Sequence, residues 1–274
     1  MPAVQHLDVA DAEVAVLELG DADGAPVVLL PGLSDGLAPV TEPAARRSFA
    51  DAPVPLTGYR GLVLSHRSPI HNRPTTRDLA LDAAGALERL VDRPVVLVCH
   101  SMGGMVAQHL AVERPDLVAG LVLSATTAAA DTHLQAVLRR WERLVATGDH
   151  VGFARDAVER SFTGQAREDR IALLGAAPPD PPSRALVERH LALSAACAAH
   201  DARDRLSGVT VPALVLAGDR DEVVLPGNSR DLAAGLPDVA MEWFPGLGHA
   251  FPEQAGERFA ARVLRFLQQV LPSP

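Results

Sequence analysis

The sequence predicts an α/β fold, a mostly parallel sheet with helices on both faces. Short apolar runs rich in β-formers recur at residues 14–19, 27–30, 61–65, 95–99, 120–124, 213–217 and 239–244. Helical patterns lie between several of them, at 76–91, 102–113, 229–236 and 254–271, and such alternation implies parallel strands joined by right-handed crossovers. The run that begins at Val95 is apolar without alternation, as suits a strand buried on both faces.

Taken in order, the first two strands lead to Pro31-Gly32, where the chain must turn. Residues 31–61 hold several prolines and the pair Arg46-Arg47; a structureless loop of that length is uncommon, so a short helix at a pocket rim is expected. His66 and His71, after the next strand, are placed at the pocket mouth. The strand at 95–99 runs straight into a helix through Cys99-His-Ser-Met-Gly103. Residues 128–206 break the alternation and read as several helices rich in alanine, leucine and arginine. They are interrupted by Thr147-Gly148-Asp149, Thr163-Gly164 and the proline cluster at 178–182. The remaining strands end in Gly218-Asp-Arg-Asp221 and in Gly246-Leu-Gly-His249, before a closing helix.

Composition narrows the function. A chain of 274 residues, 48% hydrophobic and 22% charged, has an ordinary globular balance. Its net charge of −9 argues against nucleic acid, whose phosphates it would repel. The two cysteines, Cys99 and Cys197, imply no disulfide framework. No signal-peptide core and no apolar run long enough for a membrane span occur, so a cytoplasmic protein without membrane association is expected. No zinc spacing, phosphate loop or dinucleotide fingerprint is present, so no cofactor and no metal are inferred, and the expected partner is a small-molecule substrate. Nothing in the sequence sets the oligomeric state.

The chemistry gathers at three motifs. Ser101 sits where an apolar strand meets a helix, a corner that forces strained backbone and demands small neighbours. Gly103 satisfies that demand; Cys99 stands where glycine is usual. Downstream come the aspartates Asp219 and Asp221, then His249 in a glycine-rich loop. The order serine, aspartate, histidine differs from that of chymotrypsin-like and subtilisin-like folds. His249 is preferred as the base over His100, because neighbours along a strand point to opposite faces and His100 should pack or hydrogen-bond locally.

On these motifs, from about Val14 to about Leu271, the chain resembles the α/β-hydrolase superfamily, in its serine-hydrolase branch with a helical cap. In that pattern the acid lies three residues beyond the glycine closing its strand, which from Gly218 implies Asp221, with Asp219 as the weaker candidate. The resemblance implies an oxyanion hole built from the backbone N–H groups of Leu33 and Met102. Where many relatives have His-Gly, this chain has Pro31-Gly32, which removes a side chain that often braces the loop. It further implies a hydrolase core at 1–127 and 207–274 and a cap at 128–206, into whose pocket Trp141, Phe153 and Phe162 could face.

The implied reaction is hydrolysis of an ester or thioester of a small to medium apolar acyl group through an acyl-enzyme. A carbon–carbon bond hydrolase or acyltransferase on the same triad, and a low-turnover ligand receptor, are the alternatives.

Overall fold

A computed structural model describes residues 3–51, 54, 56–70 and 73–271; His71 lies outside them. Eight strands form one sheet in the order β1-β2-β4-β3-β5-β6-β7-β8. They are β1 (Val4–Val9), β2 (Ala12–Gly20), β3 (Ala25–Leu30), β4 (Tyr59–Leu64), β5 (Val95–His100), β6 (Val118–Ser124), β7 (Ala213–Gly218) and β8 (Val239–Phe244). Strands β4, β3, β5, β6, β7 and β8 are mutually parallel, whereas β1 and β2 join antiparallel at one edge.

The sequence reading missed β1. Its pattern, Val-Gln-His-Leu-Asp-Val, leaves most of its side chains exposed or half-exposed, so it carries little of the hydrophobic signal that marked the others.

The α-helices are α1 (Pro43–Ala50), α2 (Thr76–Leu90), α3 (Met102–Glu113), α4 (Thr132–Ala146), α5 (His150–Ser161), α6 (Gly164–Ala176), α7 (Arg184–Ala198), α8 (Pro226–Gly235), α9 (Phe251–Gln254) and α10 (Gly256–Val270). The expected helix within residues 31–61 is α1, preceded by a single 3₁₀ turn at Leu33–Gly36. Helix α8 starts earlier than expected, with Pro226 in its first turn, where a missing N–H costs nothing. The closing helix is broken at Ala255, leaving the short α9 beside the histidine loop. No helix among the described residues is long and apolar enough to cross a membrane.

Strand periodicity sorts the core into two layers. Leu97 and Cys99 of β5, with Leu121 and Leu123 of β6, face the cluster that includes Leu79, Met105 and Leu110 of α2 and α3. Val96, Val98, Val122, Leu214 and Leu216 face the opposite cluster, where α10 contributes Phe259, Val263, Phe266 and Leu267 at helical spacing. Burial on both faces explains why the central strands read as unbroken apolar runs.

Helices α4–α7 form one excursion between β6 and β7. The chain leaving and the chain returning pair at its base, through Ala130 N–H to the His200 carbonyl (2.9 Å) and Ala202 N–H to the Ala128 carbonyl (2.8 Å). Its own interior is held by Asp156, which accepts from the Trp141 indole at 2.8 Å and from the guanidinium groups of Arg140 and Arg160 at 2.6 and 2.9 Å.

Candidate active site

Ser101 occupies the corner between β5 and α3 with φ 53° and ψ −118°, a conformation that only glycine adopts without strain. Two close approaches hold the corner. A Cβ on Gly103 would lie 2.1 Å from the Leu30 carbonyl oxygen, so only glycine lets α3 pack this tightly on the end of β3. A Cβ on Gly32 would lie 3.2 Å from that of Ser101, which places the loop after β3 directly beside the serine.

That loop and the start of α3 each present a backbone donor. Leu33 is 8% exposed and Met102 0%, and among the described residues neither N–H donates to a protein acceptor. Met102 opens α3, where the first N–H groups of a helix have no intrahelical partner and the dipole favours negative charge.

His249 and Asp221 come together. His249 Nδ1 lies 2.8 Å from Asp221 Oδ2, with the two residues 8% and 3% exposed. The other carboxylate oxygen accepts from the N–H groups of Val223 and Val224 at 2.8 and 2.9 Å, which fixes its orientation. A carboxylate held this way accepts only, so Nδ1 carries the proton and Nε2 offers a lone pair. Asp219 is exposed and accepts from the Gly246 N–H at 2.6 Å, capping the histidine loop instead. No hydrogen bond joins the Ser101 hydroxyl to His249 among the described residues; such bonds commonly tighten only when substrate orders the site.

His100 follows the strand alternation onto the α10 side, yet it is not remote. Its ring lies 5.0 Å, centroid to centroid, from that of His249. Ser124 donates its hydroxyl proton to the Cys99 carbonyl (2.9 Å), so His100 Nδ1, at 3.2 Å, donates to the Ser124 oxygen. Burial, with a further contribution from the His249 ring beside it, pushes the His100 pKa down to about 3, so it packs against His249 as a neutral ring. A cavity of about 310 Å³ lies on this side, lined by Leu29, Val98, His100, Phe49, Phe259 and Ala250. Ser101 does not line it.

His66 is corrected from a rim residue to a buried one. It is 5% exposed, and Nε2 lies 3.3 Å from the Pro31 carbonyl, so it sits beneath the loop. Trp141 is buried in the α4–α5 interior, edge-on to Phe153 at 5.8 Å. Phe153 in turn meets His190 of α7 at 5.2 Å, and His190, 0% exposed, lies beside Leu33 with its pKa pushed down to about 4 by burial. Phe162 lies under the Arg170 guanidinium at 5.0 Å. A second cavity of about 560 Å³ opens on this side, lined by Leu37, Glu42, Phe153 and Leu186 among others.

Two attachments escaped the sequence reading. Arg189 of α7 reaches the loop after β3, and the α5–α6 corner binds the histidine loop through the Ala250 N–H and the Ser161 carbonyl at 2.9 Å. Neither had a local signal, since Arg189 is one of many arginines between residues 128 and 206 and Ser161 lies in no motif.

The family described as serine aminopeptidase, S33, matches residues 21–253. The chain is 30% identical over 268 residues to the polyketide synthase ThaQ of Burkholderia thailandensis, covering 90% of this chain and 12% of that one. It is 31% identical over 166 residues to pimeloyl-acyl-carrier-protein methyl ester esterase of Chromobacterium violaceum, covering 57% of this chain and 63% of the relative. It therefore spans less than two thirds of the length of either. A thermophilic esterase from Thermogutta terrifontis superposes with a TM-score of 0.76 at 24% identity, covering 98% of this chain and 99% of that one, a likeness of fold.

Proposed function

The chain belongs to the α/β hydrolases, in the family described as serine aminopeptidase, S33, and we propose that it is a serine hydrolase cleaving an ester or thioester through an acyl-enzyme. The observation that carries this reading is the strained Ser101 corner, flanked by two buried residues whose N–H groups find no protein acceptor among the described residues, with the Asp221–His249 pair packed against His100, the residue before the serine.

In the proposed mechanism, Ser101 attacks the carbonyl carbon while His249 Nε2 takes its proton. Asp221 holds the imidazole in the Nδ1–H tautomer and stabilises it once charged. The oxyanion is received by the Leu33 and Met102 N–H groups. Collapse expels the leaving group, protonated by His249, and water then attacks the acyl-enzyme with His249 as base. Helices α4–α7, fastened to the loops after β3 and β8, act as a cap over the site, and the acyl group taken is a small to medium apolar one. The methyl ester esterase supports the ester reading.

The test is labelling by a fluorophosphonate probe, with turnover of p-nitrophenyl esters of graded chain length and of an aminoacyl p-nitroanilide. Ser101→Ala should abolish labelling. Asp221→Asn should lower kcat by about 10⁴-fold, and Asp219→Asn by no more than a few-fold. A folded wild-type protein that neither labels nor turns over any ester would overturn the enzymatic reading in favour of a ligand receptor.

A further inference from the structure

The loop that offers the Leu33 N–H has Pro31 where relatives often have a bracing histidine, and its position is set from outside. Asp35 lies two residues beyond Leu33 in the same 3₁₀ turn and is 1% exposed. One of its carboxylate oxygens accepts from the Ser65 hydroxyl at 2.6 Å; the other accepts from the His66 N–H at 3.0 Å and from Arg189 at 2.7 Å. Arg189, 6% exposed, also donates to the main-chain carbonyls of Asp35 and His66. The adjacent residue of α7 closes the contact, since a Cβ on Gly36 would lie 2.8 Å from His190 Cα. From below, His66 reaches the Pro31 carbonyl at 3.3 Å.

Resting on the acyl-transfer reading above, we propose that Arg189 is a positioning residue for the oxyanion hole: it ties the turn that carries Leu33 to helix α7 and to the end of β4. An ion pair that merely fastened α7 to the core would need only the carboxylate. Arg189 spends further donors on two carbonyls, one in the turn that begins with Leu33, and the planar guanidinium can serve all three acceptors from one fixed geometry. An oxyanion donor works only if aimed where charge develops, and a displacement of about 1 Å costs on the order of 10²-fold in rate.

The test replaces Arg189 in two ways in the full chain. Arg189→Lys keeps the charge and loses the fork. Arg189→Met with Asp35→Asn removes both charges, leaving no ion buried without its partner; the introduced amide oxygen can still accept from the His66 N–H while the amide nitrogen donates to the Ser65 hydroxyl. With a p-nitrophenyl ester, kcat should fall roughly 10- to 100-fold in either variant while KM stays within about threefold, because the interaction is made in the transition state. Affinity for a boronic acid that forms a tetrahedral adduct should fall in parallel with kcat.

A lowered melting temperature with kcat and boronate affinity unchanged, in whichever variant folds, would show a structural fastening only and overturn the proposal. A wild type that is unreactive at Ser101 would sink the hydrolase reading and this proposal together. A reactive wild type with fully active variants would sink this proposal alone.

Discussion

Ser101 is a nucleophile candidate because its backbone is held where side chains are disfavoured. Its φ of 53° with ψ −118° belongs to a region that costs a residue with a Cβ about 1–3 kcal/mol. Glycine relieves that strain but adds about 0.5–1 kcal/mol of unfolded-chain entropy, so relief should win. Ser101→Gly is therefore expected to be about 1 kcal/mol more stable than Ser101→Ala by denaturant unfolding. Equal stabilities would mean that the corner stores no strain. The same logic of accessible geometry separates the two aspartates: Asp221 is buried against His249, whereas Asp219 is exposed and caps a loop.

Helices α4–α7 are fastened to both loops of the site, at the α7 end through Arg189 and at the α5–α6 corner through Gln254. The Gln254 side chain accepts from the Thr163 N–H at 3.2 Å and donates to the Thr163 carbonyl at 3.1 Å, while the Thr163 hydroxyl donates to the Gly246 carbonyl at 2.9 Å. Two main-chain groups of the corner thus depend on one side chain from α9. Gln254→Ala should leave the fold intact but loosen this corner, since each such bond contributes about 0.5–1.5 kcal/mol. The expected readout is amide exchange about five- to tenfold faster in 161–163 and 247–250, with the central strands unchanged. Exchange unchanged in both segments would show that packing alone holds the corner.

Across the whole molecule, buried neutral histidines couple stability to pH. Burial pushes His200 down to about 3, with the neighbouring His109 ring 5.4 Å away adding to the shift, and burial pushes His190 down to about 4. In the unfolded chain both titrate near 6.5. Between those values the unfolded chain binds protons that the native chain excludes, so this stability is present above about pH 6.5 and is lost as pH falls. Asp82 acts oppositely: burial raises it to about 6, so its contribution grows as pH drops through that value. His200→Asn preserves a partner for Thr76, which His200 Nδ1 meets at 2.9 Å, and cannot titrate. Its unfolding free energy should depend on pH less steeply than that of the wild type, by about 1.4 kcal/mol per unit between pH 4.5 and 6. Parallel profiles would show that His200 does not carry the coupling.

What the sequence by itself determined is what nearest neighbours and short periods control. Seven of the eight strands, the corner at Ser101, and the order of Ser101, Asp221 and His249 could all be read from runs of a few residues, because burial on both faces and tight turns each impose a local residue pattern. Strand β1 escaped because most of its side chains are exposed or half-exposed. Only the tertiary structure decided what lies far apart in the chain. Asp35 and Arg189 are 154 residues apart, His66 reaches Pro31 across 35, and neither pair has a motif that would announce it. His100 lay on the expected face, yet its contact with His249 depends on how the loop after β8 folds back over the strand ends. Such contacts are set by chain closure and packing between elements, where many arginines and aspartates are equivalent in sequence and one pair is brought within reach.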